Sequence, residues 1–196
     1  MFSVVLDTCV LYSAGQRDFF LSLAIEGLFR PLWSAAILDE LHYCEVEKFV
    51  DDHGYTQTQA VQRATDLIAQ MTRAFDDALI TGWERLEGSY GLPDPDDEHL
   101  VAAAEIGGAA AIISDNIRDL PSALVPSHIQ VIPPATFALT TVEVNPLVAA
   151  RAIQQMALRT GTHGPAKTPE DLLNRLESTH GFGQAVSLIR PFLITS

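Results

Sequence analysis

The stretch VVLDTCVLYSA, Val4 to Ala14, governs how the rest of the chain is read. Three apolar residues run into a single aspartate, Asp7, and the chain then turns. A short apolar run closed by a polar residue, here Phe2 to Leu6, has the pattern of a strand buried on both faces. An aspartate at its end has two readings. It can cap the helix that follows by accepting backbone N–H groups. Alternatively, it can be a working residue, because parallel sheets gather their ligand-binding groups beyond the carboxyl ends of their strands.

Working outward, apolar runs alternate with helical periodicity. Phe19 to Leu28 reads as a helix, Arg30 to Trp33 as a second strand, and Ser34 as the N-cap of a helix bearing AAILDELHYCEVEKFV, with Glu40 beside its Ile37/Leu41 face. Thr56 to Ala74 is helical with a polar face, and Asp77 to Thr81 is a short strand. GLPDPDD breaks the chain, Asp96 or Asp97 opens a helix to Ile106, and Gly107-Gly108 ends it. Ala109 to Ser114 and Ile129 to Ile132 are buried strands, and a short helical piece follows Pro133-Pro134. The expectation is α/β: a parallel sheet of about five strands covered by helices on both faces. From Val142 to Ser196 no strand pattern remains. Gly161 to Pro169 is a linker, and Thr168-Pro169-Glu170-Asp171 has the residues of a helix start. This last part reads as a helical extension.

Composition bounds the partners. The chain has 196 residues, 47% of them hydrophobic, enough for a substantial core. Twelve Lys and Arg face 25 Asp and Glu, a net charge of −13. That disfavours holding nucleic acid by a broad basic surface. It is compatible with carboxylates gathered around cations, whose charge inverts the local field, and it suits a basic protein partner. Cys9 and Cys44 have no metal-ligand spacing and read as reduced thiols. No signal-peptide pattern precedes Asp7, and no apolar run is long enough to cross a bilayer. The expectation is a soluble, cytoplasmic protein.

Four segments place acids or amides where such a sheet exposes them. Asp7 follows the first strand and Glu40 lies early in the helix after the second. Asp96, Asp97 and Glu98 open the helix after GLPDP. Ser114, Asp115, Asn116 and Asp119 follow AAAIIS. Carboxylates converging from separate segments repel one another, and the usual reason to collect them is a hard dication, Mg²⁺ or Mn²⁺, bound through oxygen. Such an ion assists displacement at phosphorus. Asp94 and Asp96 read as loop and cap residues, His99 as structural or surface, and Arg30, Lys48 and Arg118 as solvated.

In order and spacing, VVLDTCVL, ILDEL, DPDDEHLVAAAEIGGAAAIIS and SDNIRDLP resemble the PIN-domain ribonucleases, in particular the VapC-like toxins of bacterial toxin–antitoxin pairs. The resemblance spans about the first two-thirds of the chain. It implies a PIN-like nuclease domain over 1–138, a helical extension over 142–196, and endoribonuclease activity requiring Mg²⁺ or Mn²⁺. It also implies a tRNA or rRNA substrate and a cognate antitoxin. Carried over, Asp7, Glu40 and Asp97 would hold the metal, Asn116 and Asp119 would complete or orient its shell, and Thr8, Ser114 and Asp115 would bind phosphate or a ligand. The chain departs from the family at Asn116, where an aspartate is frequent, and in its longer helical tail. A homodimer with a basic groove, or recognition concentrated near the metals, would each answer how so acidic a protein holds RNA.

Other functions fare worse. A phosphatase of the haloacid-dehalogenase type needs a second acid two residues after its nucleophilic aspartate, and Cys9 stands there. Dinucleotide binding needs a glycine-rich turn after the first strand, which is absent. A PIN-like module without catalysis, binding RNA or a protein, is the alternative that Asn116 keeps open.

Overall fold

The structure, a computed structural model, describes residues 2–161 and 165–193. Thr162, His163 and Gly164 of the linker and the last three residues of the extension lie outside the described residues. Five strands, β1 (Ser3–Leu6), β2 (Arg30–Ser34), β3 (Leu79–Ile80), β4 (Ala111–Ile113) and β5 (Gln130–Ile132), form one parallel sheet in the order β3-β2-β1-β4-β5. Val5 pairs with Leu32 on one side and Ile112 on the other, so β1 is central. The chain steps one way from β1 through β3, then crosses to β4 and β5. The topological switch therefore falls between β1 and β4, where α/β sheets open a crevice at their carboxyl ends. Asp7 and Ser114 end those two strands.

Helices α1 (Thr8–Tyr12), α2 (Ala14–Ile25), α3 (Ala35–Asp51), α4 (Gln57–Ala74) and α5 (Glu98–Ile106) build the crossovers, and α6 (Pro134–Val144), α7 (Pro146–Arg159), α8 (Pro169–His180) and α9 (Gly183–Ile189) follow the sheet. The architecture is the three-layer α/β fold expected, with C-terminal helices. Helix starts have the chemistry the sequence suggested. Ser34 accepts from the Ile37 N–H at 3.3 Å, and Thr56 with Gln59, like Thr168 with Asp171, closes a capping box. Gly107 ends α5 where a Cβ would stand 2.9 Å from the Ala103 carbonyl oxygen as well as 2.8 Å from the Ile80 side chain, and the backbone oxygen leaves it no room.

Three elements differ from expectation. Helix α1 has no counterpart in the sequence pattern, since five residues are too few to show a period. Helix α2 begins at Ala14 rather than Phe19 and ends at Ile25, before Gly27 turns the chain at φ 80°. Its first turn is small and polar and carries no apolar signal. Helix α6 has 11 residues, more than a short piece, because Pro133-Pro134 starts it and Asn145 then caps α7 through the Val148 N–H.

One hydrophobic core serves sheet and extension alike. Phe19 and Phe20 of α2 meet Phe182, just before α9, at ring-centroid distances of 5.8 and 5.6 Å, and Phe137 of α6 meets Phe29 at 4.9 Å. Such tilted and edge-on pairs contribute beyond the area they bury, and they fix α8 and α9 against α2. Among the described residues no helix is long and apolar enough to cross a membrane.

Candidate active site

Positioning of the site begins with α1. A five-residue helix leaves most of its carbonyls without intrahelical partners. Three side chains supply them: Gln16 Nε2 donates to the Val10 carbonyl at 3.1 Å, Arg17 Nη1 to Leu11 at 2.5 Å, and Lys48 Nζ to Tyr12 at 2.9 Å. Glu45, 1% exposed, receives Arg17 at 2.7 Å and Lys48 at 2.6 Å. A buried carboxylate is tolerated when it is paired in this way. The triad fastens α1 to α3. It thereby brings Thr8 to Glu40, whose Oε2 accepts the Thr8 hydroxyl at 2.7 Å.

Asp7 occupies the N-cap position of α1 but makes no capping hydrogen bond with its side chain. Its carboxylate is 7% exposed and turns to the switch point instead. There Ser114 Oγ donates to Asp7 Oδ2 at 2.5 Å while accepting the Asn116 backbone N–H at 2.9 Å. Cys9 Sγ donates to the same Oδ2 at 3.1 Å and accepts the Asp115 N–H at 3.4 Å. The residue is exposed, yet desolvation of its sulfur, and then the Asp7 carboxylate, push its pKa up to about 12. It is a thiol donor at neutral pH.

Asp97 likewise stands at an N-cap, of α5, without capping it. Its Oδ2 accepts Asn116 Nδ2 at 2.7 Å. Asp94 instead caps the short 3₁₀ turn Pro95–Asp97 that leads into α5, accepting from the Asp96 N–H at 3.0 Å. Asp97, half-buried, therefore faces the site, and Asp96 is exposed. Burial, and then the charges of Asp7, Asp94, Asp119 and Glu40, raise the Asp97 pKa to about 6. One network thus joins Asp7, Ser114, Asn116 and Asp97 by hydrogen bonds. Glu40, exposed, joins through Thr8, which neighbours Asp7. Asp119 is half-buried and Asp115 exposed, and their side chains make no hydrogen bond among the described residues. Asp115 is raised by burial and by Asp7, and lowered by His180.

Three contributors escape the sequence pattern, and Glu98, one of the acids that open α5, takes a role the pattern does not show. Cys9 has a signal in its spacing, two residues beyond Asp7. Glu98, 3% exposed, accepts the N–H groups of Tyr90, Gly91 and Leu92 at 3.1, 2.7 and 3.2 Å. It ties the loop before the site to the start of α5. His99 lies 6.1 Å from the Trp83 ring with Nδ1 unpartnered among the described residues. Burial lowers its pKa against the opposing charges of Glu40 and Asp7. His180 of α8 comes within 3.4 Å of the Ser13 hydroxyl, a contact across 167 residues that no local pattern announces.

The donor set is carboxylate and amide oxygen, the chemistry of a hard dication. Among the described residues no three His, Cys, Asp or Glu side chains are grouped to hold a metal ion. Mg²⁺ commonly takes only one or two carboxylates and keeps waters for the rest, and Asp7 with Asp97 fits that demand.

A sequence profile of the PIN domain matches residues 3–118, and the chain belongs to the PIN-domain family. PIN domains are generally nucleases and typically use divalent metal ions. No curated protein matches the chain.

Proposed function

We propose that the protein is a metal-dependent endoribonuclease, the toxin of a toxin–antitoxin pair acting on tRNA or rRNA in the cytoplasm. The observation that carries the nuclease reading is the raised Asp97 carboxyl. Burial together with Asp7, Asp94, Asp119 and Glu40 lifts it to about 6, so the site collects negative charge and leaves it uncompensated. Asp7 and Asp97 would hold Mg²⁺ or Mn²⁺, with Glu40 beside them. When bound, such an ion neutralises charge on a phosphate and lowers the pKa of a water. The chain's own residues orient the carboxylates. Ser114, polarised by the Asn116 N–H, fixes one Asp7 oxygen, Asn116 Nδ2 fixes one Asp97 oxygen, and the Thr8 hydroxyl fixes Glu40. The free oxygens are left to a ligand. The toxin role rests on the motif resemblance, and the net charge of −13 suits an antitoxin with a basic segment.

The second reading, a PIN-like module without catalysis, draws on Asn116, an amide that occupies an Asp97 oxygen. Incubating total RNA with the protein and Mn²⁺ or Mg²⁺, beside Asp7→Asn, separates the two. Discrete cuts that need the metal and vanish in the variant are expected. Absence of cutting, with no thermal shift on adding Mn²⁺, would favour the module.

A further inference from the structure

A cavity of about 220 Å³ opens where α8 packs on α2 and α7. Lys167, Arg175 and His180 line it from the extension, and Ala14, Gly15 and Asp18 line it from the start of α2. Its position follows from contacts already described. His180 Nε2 lies 3.4 Å from the Ser13 hydroxyl, and Ser13 closes α1, six residues and about 9 Å of helix from Asp7. The cavity therefore lies at the far end of α1 from the switch point.

Its charge is unusual for this chain. Arg17, Arg30, Lys48, Arg151, Arg159 and Arg190 are in ion pairs, Arg63 lies over the Tyr55 ring, and Arg73 bonds its own helix. Among the described residues that leaves Arg85, Arg118, Lys167 and Arg175 with no such partner. Two of these four share one cavity. The carboxylate that lines it, Asp18, is already occupied by Arg159 at 2.9 Å. The backbone of Lys167 is tied to the end of α7, where its N–H donates to Thr160 Oγ1 at 2.8 Å. In a protein of net charge −13, two cations that line one cavity and form no ion pair among the described residues create a local positive field, which on the Lys167 side also reaches Asp171 of α8.

We infer that this cavity is a subsite for a backbone phosphate of the RNA, next to the scissile one, with Lys167 and Arg175 as the groups that hold it. The inference rests on the nuclease reading. It explains how an acidic protein retains a polyanion: the catalytic carboxylates are met at one point, and the strand is gripped beside them by cations that the extension supplies. Phosphate contacts of this kind position the strand without reading its bases.

The test measures RNA affinity by fluorescence anisotropy in the Asp7→Asn protein, with and without Lys167→Ala/Arg175→Ala, across a salt series. Removing each charge-assisted hydrogen bond to phosphate is expected to weaken binding roughly tenfold. The slope of log affinity against log salt should shallow by about 0.7 to 1, the value for one phosphate. In the cleaving protein the same double substitution should act on KM more than on kcat. Lys167→Arg/Arg175→Lys should restore binding, and Arg85→Glu, the same change of net charge elsewhere, should leave it unchanged. A cleaving wild type whose double variant keeps its affinity and salt slope would overturn the subsite alone. An Asp7→Asn protein that binds no RNA, with a wild type that cuts none, would overturn the nuclease reading and the subsite with it.

Discussion

Two clusters of charge lie within one helix of each other and are built on opposite terms. Around Glu45, a carboxylate that is 1% exposed, both neighbouring cations are in contact and each also donates to a carbonyl of α1. Around Asp97, four further carboxylates press on a half-buried acid and the polar neighbour in contact is an amide. The first cluster is electrostatically closed. It holds one helix against another and has nothing left to offer a ligand. The second is open, and its unmet charge is what gives it a use. Glu45 and Asp7 are both nearly fully buried, at 1% and 7% exposed, so burial does not separate the two clusters; the completeness of their partners does.

The comparison can be broken in four places. Glu45→Ala leaves Arg17 and Lys48 without their shared anion, and removal of one member of a buried pair costs about 3–5 kcal/mol. For a domain of this size each kcal/mol lowers Tm by roughly 2–4 °C, so calorimetry should find a fall near 10 °C. A small change would mean that α1 is held by other means. Next, Mn²⁺ at a hundred times its dissociation constant should stabilise the wild type by about 2.7 kcal/mol, and Asp7→Asn should lose most of this. Ser114→Ala removes the hydroxyl that orients Asp7. RNA cleavage is expected to fall about 10- to 100-fold, the usual effect of losing a group that orients a ligand, with little change in Tm.

The smallest effect has the opposite sign. The folded Asp97 carboxyl titrates near 6, above its unfolded value, so the fold disfavours the charged form. That penalty is complete above about pH 6, shrinks as pH falls toward the unfolded value, and is gone below it. Asp97→Asn, without metal at pH 7.5, should therefore raise Tm by roughly 2–4 °C, a modest gain because solvent screens a half-exposed group. The gain should disappear by about pH 4. If Tm drops instead, the Asn116–Asp97 hydrogen bond outweighs the repulsion.

Much of the frame was legible because it follows local rules. Apolar runs gave β1, β4 and β5, and Ser34, Thr56 and Thr168 marked helix starts by their side chains. Asp7 stood out because a lone charge ended an apolar run, and the caps that competed for Asp7 and Asp97 proved unmade. The rest depended on contacts that have no period. Helix α1 owes its stability to Gln16, Arg17 and Lys48, none of which advertises the role in sequence. Glu45 read as one more polar position of a long helix. Strand β3 is two residues long, too short for alternation to show. The choice between Asp96 and Asp97 needed the place of Asn116, which β4 sets from across the sheet.

The central place of β1 also has a consequence for synthesis. Val5 emerges first from the ribosome, yet one of its neighbours, Ile112, follows more than a hundred residues later. At about 5–20 residues per second this is a wait on the order of 5–20 s. Through that interval one edge of β1 stays bare, and Asp7 lacks the Ser114 hydroxyl that will hold it. His180, beside the cavity, arrives later still. A ribosome-bound fragment therefore carries Asp7 without the partners that arrange it until the chain has grown past Asn116.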